Sequence, residues 1–71
     1  MTQLESIVSR EGARIRQLRR KLRLTQEELA RAVGVTTHTI WRLENDSVFN
    51  PRLETLRGIA KALNVKASDL V

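Results

Sequence analysis

Within the stretch "THTIWRLEN" lie the side chains best suited to chemistry: His38, Trp41 and Arg42, with Thr37 and Asn45 beside them. His38 is the only histidine and Trp41 the only tryptophan of the chain. An arginine presents a planar fork of donors that fits a carboxylate, a phosphate or the edge of a guanine. A histidine can donate to an acceptor atom, more favourably below its pKa. A tryptophan offers an apolar plate that could cover a thymine methyl or pack on sugars. All three chemistries are those of recognition. Bond-breaking chemistry finds no footing, because one histidine, no cysteine and no clustered acids leave no credible nucleophile and base. No second histidine or cysteine joins His38 in a metal site. We therefore expect a protein that is not an enzyme and holds no metal or cofactor.

Charge points to the kind of surface that is recognised. The 71 residues carry 13 Lys and Arg against 8 Asp and Glu, a net charge of +5. Seven of the thirteen bases fall between Arg10 and Arg23, against one acid, Glu11. A positive field on a small domain suggests a polyanionic partner. Charge alone is equally consistent with a solvated arginine-rich helix. The length fits one domain, 1–71, hiding roughly 60% of the surface its unfolded chain exposes. No apolar run approaches the ~20 residues of a membrane span, and no signal-peptide pattern opens the chain. We expect a cytoplasmic protein with no membrane contact. The lack of cysteine fits a reducing compartment.

The elements that must position these residues read as helices, since no segment alternates with period two. Thr2 and Glu5 have capping-box spacing, so a helix could open near Gln3. Leu4, Ile7, Val8, Ile15, Leu18 and Leu22 form one stripe, which Gly12 interrupts at a cost of about 1 kcal/mol against alanine. Two readings stay open: one long helix, or an arm over 1–9 followed by a helix from about Arg10 to Arg23. Thr25, with Glu28, caps a second helix whose stripe is Leu29, Ala30 and Val33. Gly34 suits the left-handed end of that helix. Thr36 caps the third, with Val35 and Ile40 at hydrophobic-staple spacing and Ile40 and Leu43 facing inward. At 100° per residue, His38, Trp41, Arg42 and Asn45 then fan across the opposite side. A loop spans Asn45 to Asn50. Asn50 and Pro51 have the types of a cap and a first helical residue for a fourth helix. Its stripe is Leu53, Leu56, Ile59, Ala60 and Leu63, and Asn64 closes it. Ala67 to Val71 adds a last turn, giving five short helices in a compact all-α domain.

Two helices joined by a short glycine-containing turn form a helix-turn-helix. With Gln26 counted as the first position, a small residue is required at the fifth and glycine at the ninth; Ala30 and Gly34 are there. Apolar residues are required at the fourth, eighth, tenth, fifteenth and eighteenth. Leu29, Val33, Val35, Ile40 and Leu43 occupy them. A generic helical hairpin would not need both the small residue and the glycine.

From about Ile15 to Leu70 the chain resembles the phage-repressor and Cro-like, or XRE-type, helix-turn-helix family. The resemblance is carried by "IRQLRRKLRLTQEELARAVGV", "TIWRLEN" and "NPRLETLRGIAKALNV". It implies a five-helix, lambda-repressor-like domain that binds double-stranded operator DNA, usually as a symmetric homodimer, with helix three in the major groove. It also implies roles. Thr37, His38, Trp41 and Arg42 would face base edges or flanking phosphates. Gln26 would touch a phosphate and brace the reading helix, while Asn45 and Arg52 would meet the DNA backbone. Arg19 and Glu44 occupy the places of an ion pair between helices one and three, with Arg19 near the phosphates. Family geometry puts the loop before helix four near a two-fold axis. Val48 and Phe49, apolar in a loop that should be polar, either cap the core or meet a partner chain, with Phe49 the favoured interface contact and Leu70 and Val71 as helpers. Three departures stand out: Asp46 where the family commonly carries glycine, an apolar middle in the loop "DSVFN", and a tryptophan at Trp41.

The expected function is sequence-specific transcriptional regulation by a symmetric dimer, either as a stand-alone small regulator or as the DNA-binding domain of a longer protein. Residue-level alternatives stay open: Trp41 as peripheral core, His38 as a plain surface residue, Arg42 paired with an acid of the domain. At the level of function the rivals are an antitoxin and a protein-bridging module on the same fold. The basic bias and the polar outer face of helix three argue against the second.

Overall fold

The computed structural model describes residues 8–70. Four α-helices follow in order: α1 Arg10–Lys21, α2 Gln26–Val33, α3 Thr37–Asn45 and α4 Leu53–Leu63. A 3-10 turn, Ala67–Asp69, closes the described chain. The fifth expected helix is thus a single 3-10 turn. Thr2, Glu5, Leu4 and Ile7, with the helix start they suggested, lie outside the described residues, as does Val71.

Each helix begins and ends for a local reason. Ser9 caps α1, its Oγ accepting from the Gly12 amide at 2.8 Å. Arg23 ends that helix in a left-handed conformation, φ 60°, two residues after the last helical position. Thr25 and Glu28 form the full capping box of α2, and Gly34 closes it at φ 87°. Thr36 caps α3 by accepting from the Thr39 amide at 3.1 Å. Asp46 needs no left-handed turn there, because the chain leaves α3 extended at φ −75°, ψ 152°. Asn64 closes α4 at φ 60°.

Two expectations about α4 and α1 are corrected. Asn50 and Pro51 do not open α4. Arg52 holds the cap position, with no side-chain cap, and Leu53 is the first helical residue. Proline's fixed φ suits an extended segment as well as a helix, and here the chain stays extended through Arg52 (ψ 153°). Gly12, read as an interruption, lies inside an unbroken α1 and is buried. A Cβ there would collide with the Leu43 carbonyl oxygen and crowd the Glu44 backbone. Its place is the close crossing of α1 over α3.

The core is Ile15 from α1, Leu29 and Ala30 from α2, Ile40 and Leu43 from α3, Ile59, Ala60 and Leu63 from α4, and Leu70. Each fully buried aliphatic contributes about 1.5–3 kcal/mol relative to exposure. Leu70 is 1% exposed, so it belongs to this core and offers nothing to a partner chain, against the expected interface role. Phe49, the favoured interface contact, is instead half-buried and packs on the same core, because the loop folds its ring inward, whereas Val48 is exposed. Leu22 and Leu53, assigned inward by periodicity, are also exposed, because each sits at the end of its helix, beyond the layer its neighbours cover. Packing of α3 against α1 and α2 leaves its remaining side free.

Candidate nucleic-acid interface

On that free side Thr37, His38, Trp41 and Arg42 are all exposed. The rings of His38 and Trp41 stack, 6.0 Å between centroids and 10° between planes. Trp41 is 48% exposed, so it is a plate on the outer face and not peripheral core. Its backbone carbonyl accepts from Asn45 Nδ2 at 2.8 Å, which folds that side chain back along α3. Arg42 donates through Nε to Asp46 Oδ2 at 3.3 Å, one turn further on. This acid of the domain pairs with Arg42 at the surface, where such a bond holds weakly against solvent. His38, Thr39, Arg42, Asp46 and Arg52 line a groove of about 610 Å³ running from α3 to the start of α4. Arg52 is exposed at its edge.

Behind this face a buried polar cluster fixes its orientation. Arg19 of α1 donates Nε to Glu44 Oε2 at 2.7 Å and Nη2 to Glu44 Oε1 at 3.0 Å. Its Nη1 donates to the Leu24 carbonyl at 2.7 Å. Gln26 Nε2 donates to Glu44 Oε1 at 3.1 Å. Glu44 is fully buried and the Arg19 side chain 9% exposed. Among the described residues no buried side-chain polar atom lacks a partner. The carboxylate of α3 is therefore gripped by α1 and α2 together. A buried charge pair stays tolerable only with such complete pairing. Arg19 has its donors committed inward, so it is not a phosphate contact, correcting that expected role. Gln26 is half-buried, with one amide group spent on bracing α3.

Three residues have roles that the sequence left unassigned. Ser9 donates its amide to the Asp46 carbonyl at 2.9 Å, tying the start of α1 to the end of α3. Gly12 lets α1 cross close against the α3 backbone at Leu43 and Glu44. Asp46 holds Arg42, and the i,i+4 spacing of the two was the available signal.

A capped helix, a left-handed glycine, and a second capped helix whose outer face is polar and whose inner acid is locked define a helix-turn-helix domain. The comparisons agree. A family profile described as "Helix-turn-helix" matches residues 15–70. An uncharacterized HTH-type transcriptional regulator of Archaeoglobus fulgidus is 44% identical over 57 residues, covering 80% of this chain and 79% of that protein. The P22 c2 repressor, in a crystal structure with a synthetic operator, superposes with a TM-score of 0.80 at 36% identity, covering 86% of this chain and 91% of that one. SinR, in a SinR/SinI protein complex, superposes with a TM-score of 0.79 at 28% identity, over 84% of this chain and 58% of that one. The chain belongs to the XRE-type helix-turn-helix family, whose members include DNA-binding transcriptional regulators and phage repressors. None of the α-helices among the described residues is long and apolar enough to cross a membrane.

Proposed function

We propose that this protein is a cytoplasmic transcriptional regulator that reads double-stranded DNA by placing α3 in the major groove as a symmetric homodimer. The observation that carries the reading is the free face of α3, where Thr37, His38, Trp41 and Arg42 project from a helix clamped by the Arg19–Glu44–Gln26 cluster. A base reader must be rigid behind and polar in front, because bidentate contacts to base edges tolerate little misplacement. Arg52, Asn45 and the outward side of Gln26 would meet phosphates, the sequence-independent part of the affinity. The P22 c2 repressor, with the same fold, was crystallised on an operator, and the net charge of +5 suits the same partner. Val48, 70% exposed in the loop before α4, is the apolar contact suited to a second copy, with Phe49 supporting it from the core side.

Selection from a random duplex pool with the purified protein tests this directly. Enriched duplexes should be inverted repeats with half-site centres about one helical turn apart. An unenriched pool would reject base reading. The SinR/SinI complex supports a second reading, in which this protein also has a protein partner. A module that only bridges proteins would bring down a stoichiometric protein in co-purification while selection enriched nothing. A regulator with a protein partner would show both the protein and an enriched duplex.

A further inference from the structure

We infer that Asp46 is a positioning residue that fixes Arg42 as a guanine reader and withholds it from phosphates. The inference rests on the DNA-reading function proposed above. Asp46 engages Nε alone, and the two terminal amino groups of Arg42 make no hydrogen bond within the described residues. Those two groups form the end-on edge that matches guanine O6 and N7. In water this exposed contact holds Arg42 only weakly. While it forms, the remaining fork points outward, and once the duplex excludes water from the pair less rotamer freedom is lost in meeting the base. Asp46 is itself held, since its carbonyl accepts from Ser9 N at 2.9 Å and its amide donates to Arg42 O at 2.8 Å.

Helix stability does not explain the acid. An aspartate at the C-terminal end of a helix is disfavoured by the helix dipole. An Arg preceding its acid by four positions is the weaker order of such a pair. Among the described residues Asp46 is also the only acid lining the groove of His38, Thr39, Arg42 and Arg52. Moving Arg42 from Asp46 to a phosphate exchanges one anion for another, and it brings the Asp46 carboxylate close to the DNA backbone. Meeting a guanine adds two bonds and keeps the carboxylate contact.

The test uses the full chain, a duplex selected by the wild type, and single-pair variants of that duplex. Arg42→Ala first identifies the guanine whose replacement by adenine no longer matters. At that position Asp46→Asn should lower discrimination about tenfold and strengthen binding to random duplex severalfold. Asp46→Glu, which keeps a carboxylate, should retain most of the discrimination. In an Arg42→Ala background, Asp46→Asn should leave discrimination where it stands. Unchanged discrimination in Asp46→Asn overturns the inference, as does a loss spread evenly over all positions. A wild type that selects no duplex rejects DNA reading itself. Selection of a duplex in which Arg42→Ala frees no guanine rejects only the role of Asp46 and Arg42.

Discussion

Arg42 and Arg52 are both exposed cations on one groove, yet their loss should differ in kind. Arg42→Ala should cost roughly 1–3 kcal/mol at one base position and relax the preference there. Arg52→Ala should weaken every duplex alike and reduce the salt slope by about 0.9. Binding measured at several salt concentrations separates the two. Glu44 belongs to folding. Its carboxylate holds Arg19 and Gln26 in a fully buried site, so Glu44→Ala should cost about 3–5 kcal/mol in denaturant unfolding. A loss under about 0.5 kcal/mol would reduce the pair to the value of an exposed one. The exposure of His38, Trp41 and Arg42 on the outer face of α3 was legible in the sequence because helical spacing separates them from Ile40 and Leu43. The inward commitment of Arg19 was not, because helical phase places a side chain at a border without saying where its donors go.

Helix boundaries followed the sequence where a side chain or a glycine dictates the geometry. Thr25 with Glu28, Gly34, Thr36 and Asn64 each act at the position their chemistry requires. They failed at Pro51, whose fixed φ serves an extended segment and a helix equally. Gly12 was misread for a different reason. Propensity records what glycine costs a helix, while its benefit lies in the backbone of α3, far away in sequence. The two views make opposite predictions for Gly12→Ala. An exposed helix would gain about 1 kcal/mol. At this crossing the new methyl meets the Leu43 carbonyl, so unfolding should show a loss of about 1–3 kcal/mol, the usual effect of overpacking. The readout should include DNA affinity, since displacing α1 from α3 disturbs the clamp behind the reading face.

At the scale of the molecule, the helix-turn-helix was legible from seven spaced positions, and most of the core from four stripes. The partner surface was read less well. Leu70 looks like a free apolar end in sequence, but the chain folds back and buries it. Val48 remains the exposed apolar residue of the loop. Val48→Ser should change folding stability by less than about 0.5 kcal/mol and weaken cooperative binding to an inverted repeat severalfold. Sedimentation and titration on whole and half sites would show both. Equal affinity of wild type and variant for the whole site would remove Val48 from the interface.

Under the proposed function, the outer face of α3 reads sequence and does not merely attract phosphate. Trp41 reports on that face directly, as the only tryptophan and half exposed. The decisive measurement is its fluorescence during titration with a selected duplex and with a scrambled duplex of equal length, at two salt concentrations. Base reading by α3 should give a larger change and tighter binding with the selected duplex at both salts, and Arg42→Ala should lose that preference. Equal binding of both duplexes by the wild type, with Arg42→Ala altering only the salt slope, would contradict it.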